Sequence, residues 1–587
     1  MNGVINELET LFPAEISEAN LISVLERFST LIRESGSENE RIAFDFLKQL
    51  LDQNEIPYKL YHPKLYLSIP KTAELQVTSP VNRRIIAKTP SFSISTGDTW
   101  KSGEVMYVPT NQAKTMNDIF GVVQNDKVDV DLKGKIVLTE GFPMPGKLPY
   151  LTEKGAVGVI FISPGHNIHD GICTSIWGAP DLDNFADQPQ IPVLAINQQD
   201  GTALKELIEA GEVKVEFRTE LETGWMNCPL LDIFIEGTEE PEKYVLLHGH
   251  VDSWDVGIGD NATGDAALIE MARILYKHNH LLKRSVRIAL WPGHSTGRYA
   301  GSTWFADQFG ISLEKNCVAQ VNCDSPGCRW ATSYQYMEWM SETNDFCLKA
   351  IKESIGEEAK GVRPLRSGDY SFDNIGISSF FMLSSSMPEE LAAEKGYYPV
   401  GGCGGNIAWH TQDDVMEIAD IEILKKDILM YLTAVTRVAN APILPFKFVS
   451  TADEFIKTIE LYQEQAGTHF DFSPVLQEAV NLKKDLEIFY QEIAATQDAA
   501  VPEQRSLVNE KIVKLARILV PINYTRKGKF RHDPARAVPP LPDIAAAGEL
   551  TDALVGTHYY HVLKTHLQRG SNRIIWAMFQ ARELIAE

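Results

Sequence analysis

Apolar residues recur at helical spacing early in the chain. Leu21, Val24, Leu25, Phe28, Leu31 and Ile32 step by one, three and four and predict one buried helix face. Ser37-Glu38-Asn39-Glu40 reads as a capping box, with a second helix expected over 42–51. A strand is expected near 57–61. The pattern changes between 75 and 225. Short apolar runs at 84–87, 135–138, 157–162 and 191–196 sit among Gly and Pro and read as strands, followed by a short helix over 201–210. From 230 to 440, strand, loop and helix alternate. Buried strands are expected at 244–247, 286–291, 318–322 and 378–383, with helices near 263–278 and 303–309. Such alternation predicts an α/β domain with a largely parallel sheet. Past 450 the helical period returns: Val475, Ala479, Leu482, Leu486, Phe489 and Ile493 step by three and four, and 556–585 repeats the pattern. A Pro-rich stretch at 537–542 separates the two. No internal repeat or low-complexity tract interrupts the chain.

Composition narrows the class. At about 150 residues per domain, 587 residues suggest three or four domains. Hydrophobic residues at 44% and charged residues at 23% exclude a mostly disordered chain, a collagen and a small disulfide scaffold. The 55 Lys and Arg against 79 Asp and Glu leave a net charge of −24, which argues against nucleic acid or an anionic membrane as the main partner. No apolar run approaches the roughly 18–20 residues of a membrane span. Residues 1–15 lack the basic and apolar regions of a signal peptide, so a cytoplasmic location is expected. The seven cysteines are scattered and read as reduced thiols; Cys323 and Cys328 lack the second pair a structural zinc site needs.

The densest chemical signal is His248-Gly249-His250-Val251-Asp252-Ser253, directly after the strand expected at 244–247. Asp260 follows in Gly259-Asp260-Asn261-Ala262-Thr263-Gly264, just ahead of a helix. In open α/β sheets ligands collect at the carboxyl ends of strands. A neutral imidazole and a carboxylate are good zinc ligands. Asp252, two residues after His250, is expected to take the imidazole's other N–H and fix its tautomer. Alone, His-x-Asp is weak and reads more readily as a hydrogen-bonded histidine at a strand end. Three later segments shift the balance: Pro292-Gly293-His294-Ser295, Cys323-Asp324-Ser325, and Ala408-Trp409-His410-Thr411-Gln412-Asp413-Asp414. His, Asp, Asp and His at successive edges of one sheet converge on one crevice.

With these motifs the chain resembles the co-catalytic zinc metallopeptidases of the glutamate carboxypeptidase and transferrin receptor type, related to bacterial zinc aminopeptidases. The resemblance covers nearly the whole chain. Gly134-Lys135-Ile136-Val137-Leu138, Glu153 to Ile160 and Ile191-Pro192-Val193 look like a protease-associated domain. The helical tail, with Lys529-Phe530-Arg531-His532, looks like the family's dimerisation domain. The implied fold is α/β. Residues 1–75 and 226–445 form the metallopeptidase-like domain, 76–225 the inserted protease-associated domain, and 446–587 a C-terminal helical bundle that pairs into a homodimer. The family holds two zinc ions on a bridging aspartate. By motif, Asp260 would bridge, His250 and Asp324 would complete the first site, and His410 would help hold the second.

One departure is marked. The family has two adjacent glutamates after the strand that here ends in Trp291, one a general base and one a ligand. His294 and Ser295 stand there instead, with one extra residue before Gly301. Serine is a poor replacement for a carboxylate. His294 is either a nitrogen ligand of a more histidine-rich site, or the base, since imidazole titrates near neutral pH; in a third case hydrolysis is lost. The expected function is hydrolysis of a C–N amide or peptide-type bond of a small molecule or short peptide by a metal-activated water, with one or two Zn2+ ions or another divalent metal. The catalytic candidates are His294 and Asp252, and the metal candidates are His250, Asp260, Asp324, His410 and His294. Rivals are a non-catalytic binding protein, and a lyase or cyclase on the same site.

Other features carry less. Gly141 to Leu148 nearly spells a P-loop but lacks the Ser or Thr for magnesium, and its prolines remove phosphate-cradling N–H groups. Arg298, Arg363 and Arg366 are candidates for an anionic substrate or for plain surface charge. Ser367-Gly368-Asp369-Tyr370 resembles the segment the family places beside substrate, although the family's following arginine pair is missing. The glycine-rich stretch 397–406 is expected to form a loop beside His410.

Overall fold

The computed structural model describes residues 2–109, 130–366, 368–496 and 501–587. The expected amino-terminal helices are present. Helix Glu18–Phe28 is capped by Ser17 and buries Leu21, Val24, Leu25 and Phe28. It stops at Phe28, so Ile32 leaves the face and is 51% exposed. Helix Glu38–Gln53 has half of the expected capping box. Ser37 Oγ accepts from Glu40 N at 3.1 Å, but the Glu40 carboxylate reaches past Ser37 to Gly36 N at 2.8 Å.

The strands of the two larger sheets run in chain order as β1 (Tyr58–Tyr61), β2 (Lys64–Ser79), β3 (Arg83–Ile86), β4 (Lys101–Tyr107), β5 (Ile136–Glu140), β6 (Gly158–Ile162), β7 (Val193–Ile196), β8 (Lys214–Asn227), β9 (Leu230–Ile235), β10 (Glu240–His250), β11 (Arg284–Trp291) and β12 (Cys317–Asn322). Five make the central sheet, in the order β1-β9-β11-β10-β12. β10 pairs in parallel with β11 and β12, while β9 lies antiparallel to β11. Side chains alternate across it. Val245, Leu247, Ile288 and Leu290 join a core with helices Thr263–Lys277 and Ile421–Asn440. Tyr244, Leu246, Ala289 and Trp291 meet helix Ala300–Asn316 on the other face. The strand expected at 378–383 does not form. Only single bridges, Gln320 to Ser379 and Glu338 to Leu383, are made there, and Phe381 at φ 51° takes the chain out of extended geometry.

The second sheet has seven strands, in the order β3-β2-β8-β4-β5-β6-β7. β2 and β8 pair antiparallel from Lys64 with Asn227 to Ser79 with Lys214. This ribbon runs across both expected domain limits, 75/76 and 225/226, so the limits fall inside strands. β4 to β7 pair in parallel and bury Val137, Val159, Phe161 and Val193 on one face. After the α/β region come helices Val449–Ala466, Ser473–Thr496, Pro502–Tyr524 and His558–Ala586. Val475, Ala479, Leu482, Leu486 and Phe489 form the buried face of the second of these, as their spacing predicts.

Candidate metal centre

The register of the central sheet builds the site. His250 pairs with Trp291, and His248 with Asn322, so the carboxyl ends of β10, β11 and β12 lie side by side. The chain leaving each end carries one candidate: His250 itself, His294 and Asp324. Asp260 sits in the turn Ile258–Ala262 that leads into helix Thr263–Lys277, and its peptide to Asn261 is cis. His410 arrives from a loop, at φ 56°.

Four of the five metal candidates meet around Asp260. Its Oδ1 lies 3.0 Å from His250 Nε2, and its Oδ2 lies 3.3 Å from His410 Nε2. Asp324 Oδ2 is 3.8 Å from His250 Nε2. His294 is the fifth: its ring stacks on His250 at 3.8 Å and 11°. Ligand atoms of His250, His294 and Asp324 lie within 4.8 Å of one another.

Asp252 does not do what its spacing predicts. His250 Nδ1 bonds the Asp252 main-chain oxygen at 2.9 Å, because the chain turns back and brings that carbonyl nearest. The Asp252 carboxylate, 3.7 Å from the ring nitrogen, reaches the next strand end instead. It accepts from His294 N at 3.1 Å and Ser295 N at 2.9 Å. Asp252 therefore shapes the turn that presents His294.

Several supports come from distant sequence. Asp369 Oδ2 accepts from His294 Nδ1 at 2.9 Å, and its Oδ1 accepts from Ser302 at 2.7 Å. With the proton held on Nδ1, His294 Nε2 is left bare. Asp414 accepts from the amides of Gly259 and Asp260, at 2.7 and 3.0 Å. Asn261 bonds the carbonyls of His250 and Cys323 and accepts from Ser325 N. Fully buried Arg33 donates to the carbonyls of Val251, Val256 and Gly257, bracing the loop between His250 and Asp260. Asp414, four residues after His410, could have been suspected from its place in the motif; nothing local marks Arg33.

The donor set fits a cation. His250 Nε2 and Asp260 Oδ1 are both buried, face each other at 3.0 Å and have no hydrogen-bond partner besides each other. With Nδ1–H committed to Asp252, a neutral His250 would meet Asp260 acceptor to acceptor, so either a second ring proton or a metal ion has to lie between them. Nitrogen and oxygen ligands at about 2.0–2.2 Å from one zinc ion span a similar separation. Burial opposes a charge on His250, yet Asp260, Asp324 and Asp252 hold its pKa well above the ordinary imidazole value. Asp260 is held well below the carboxylate range by His250 and His410, against its burial. Asp324 is pushed up, by burial and then by Asp260.

The remaining sequence candidates are engaged elsewhere. Arg363 pairs with Glu454 and stacks on Tyr524. Arg366 donates to the carbonyls of Asp533 and Pro534, and Arg298 to that of Ala535 at 3.5 Å. Asp369 of the substrate-like segment lies in the site, while Ser367 falls outside the described residues. In the P-loop-like segment Phe142 packs on His169 and Trp409 beside His410. All seven cysteines are free and buried.

The sequence model of peptidase family M28 matches residues 233–432, from β9 through His410 into helix Ile421–Asn440. Aminopeptidase NAALADL1 of Mus musculus is 36% identical over 117 residues, 19% of this chain and 15% of that protein's length. An aminopeptidase from Aneurinibacillus sp. strain AM-1 superposes with a TM-score of 0.53 at 17% identity, over 73% of this chain and 96% of that one. BSAP, a zinc aminopeptidase from Bacillus subtilis, does so with a TM-score of 0.51 at 18% identity, over 72% of this chain and 94% of that one. The region that the M28 model matches thus has the α/β fold that the motifs implied, followed by a helical C-terminal part.

Proposed function

We propose that the chain is a metal-dependent hydrolase that cleaves a peptide-type C–N bond in a short peptide or other small substrate. The observation that carries this reading is the buried pair His250 Nε2 and Asp260 Oδ1, 3.0 Å apart with no third partner and with Asp324 and His410 beside them, at the carboxyl edge of the sheet that the M28 model covers. Zinc held there would polarise a carbonyl and acidify water. His250, Asp260 Oδ1 and Asp324 would hold one ion firmly. Asp260 Oδ2 and His410 would offer a second, weaker position, because Ser295 supplies no carboxylate. His294 Nε2, with Nδ1 fixed by Asp369, is the base that takes a proton during attack on the carbonyl. A ligand role is the second reading, favoured by its place within 4.8 Å of the His250 and Asp324 ligand atoms.

Metal content and turnover on a peptide panel separate these roles. As the base, His294→Ala keeps its metal and loses turnover; as a ligand, it loses metal as well. Wild-type protein that takes up no zinc, with no effect of Asp260→Ala, refutes the hydrolase. We also propose a cytoplasmic homodimer. Helix His558–Ala586 exposes Tyr559, Val562, Trp576 and Phe579 at helical spacing, and Trp576 stacks on Phe579. Light scattering of Trp576→Glu should show monomer where wild type shows dimer.

A further inference from the structure

The inserted domain reaches the metal centre through residues 167–170. Asp170 N donates to His410 O at 2.9 Å, and His410 Nδ1 donates to Asp170 O at 3.0 Å. This reciprocal pair keeps the proton on Nδ1 and leaves Nε2 turned to Asp260. Flanking bonds extend the seam. His169 Nδ1 bonds the Trp409 carbonyl at 2.6 Å, Asn167 Nδ2 donates to Asp413 at 2.6 Å, and Gln412 Nε2 donates to Asn167 at 2.7 Å.

Asp170 is itself held by Lys88. Lys88 Nζ lies 2.6 Å from Asp170 Oδ2 and 3.7 Å from Asp255 Oδ2. Its main chain is anchored in the inserted sheet by two bonds to Ala195, at 3.0 and 2.8 Å. Asp255 belongs to the loop between His250 and Asp260, and its neighbour Trp254 is buried in the inserted domain's core, with its ring 6.0 Å from His410. One ammonium group therefore spans the segment that orients His410 and the loop that carries Asp260. His410 also sits at left-handed φ, a conformation that persists only where its surroundings enforce it.

We propose that Lys88 is a positioning residue of the metal centre: by tying Asp170 to Asp255 it sets His410 against Asp260 and determines the affinity of the weaker metal position. The inference rests on the metal-site reading above. Supports of this kind alter metal affinity by about 10–100-fold when removed.

The test uses the full chain with Lys88→Met and Lys88→Arg. Zinc is titrated against a competing chelator, and cobalt(II) absorption reports the coordination. Lys88→Met should weaken the weaker step about tenfold or more, leave the tighter step unchanged, and be largely restored in Lys88→Arg. In a His410→Ala background Lys88→Met should add nothing, since its effect passes through His410. In metal-free protein, hydrogen–deuterium exchange at 167–171 and 408–414 should rise in Lys88→Met, with the thermal midpoint monitored alongside. An unchanged weaker step, or an equal loss in the His410→Ala background, overturns the proposal. If wild type binds no zinc, the hydrolase reading fails. The exchange experiment then decides the latch alone: unchanged exchange in both segments overturns it, and raised exchange there supports it.

Discussion

Asp369→Asn changes few atoms and a great deal of chemistry. Asp369 is fully buried and accepts twice, from His294 Nδ1 at 2.9 Å and Ser302 Oγ at 2.7 Å. Asparagine has one acceptor oxygen where aspartate has two. If its oxygen stays on His294, Ser302 must turn. If its amino group faces His294, the ring proton moves to Nε2 and the lone pair aimed at the metal centre is lost. A hydrogen bond to a charged group contributes about 1.5–3 kcal/mol, against about 1 for a neutral one. A loss near 2 kcal/mol corresponds to about 30-fold. The variant should therefore show about 10–100-fold lower zinc affinity if His294 is a ligand, or a similar fall in kcat/KM at unchanged zinc affinity if it is the base. Chelator competition and a peptide turnover assay read the two outcomes. Zinc affinity and kcat/KM both within threefold of wild type would refute the assigned role of the pair. The carboxylate also has a stability signature. Burial works against its charge, yet His294, His250 and Ser302 hold its pKa below the ordinary value. Its contribution in metal-free protein is thus fully present above about pH 4 and is lost as pH falls below that, a slope the asparagine variant should lack.

Three further outcomes follow from the geometry. Arg33→Met should lower unfolding free energy by about 3–5 kcal/mol, because two buried carbonyls and one half-buried carbonyl lose their donor together; a loss under about 1 kcal/mol in urea melts would contradict this. Gly264→Ala should reduce zinc content and cost about 1–3 kcal/mol, since a Cβ there overlaps Asn261 Oδ1 and the Cys323 carbonyl; full zinc occupancy at wild-type stability would be the contrary result. Glu342 is buried and pushed up from 4.5 to about 7, mainly by burial. Its raised pKa makes its contribution complete below about pH 4.5 and lost as pH rises through 7, by up to about 3 kcal/mol. Glu342→Gln should flatten the fall in urea midpoint between pH 5 and 8, and a variant as pH-dependent as wild type would count against the assignment.

The legible parts of the molecule are those whose physics is local. His250 and Asp324 could be placed because a buried apolar strand has to end in polar residues at the sheet's edge, and the helices past 450 because one apolar face repeats every three or four residues. The ribbon was obscured by composition: β2 carries Pro70 and charged residues, and is half exposed. Segment 378–383 looked like a strand because it is apolar, but its burial comes from packing rather than pairing. The role of Asp252 turned on a difference of under 1 Å between its carbonyl and its carboxylate, which spacing alone does not resolve. Arg33, Asp170 and Lys88 act across 82 or more residues of chain, so neither period nor motif marks them.

The pairing of Lys64 with Asn227 gives residues 65–226 a single doorway. Chain enters and leaves at adjacent backbone positions, so a tight turn in place of 65–226 would join β1 to β9 with little change of path. Excision on that line is geometrically simple, yet it would also remove the carbonyl that orients His410. The shortened chain should retain its central sheet and the His250, Asp260 and Asp324 cluster, and bind its second ion poorly. Architecture and the proposed metal chemistry are thus separable along one cut, with residues 65–226 contributing the orientation of His410.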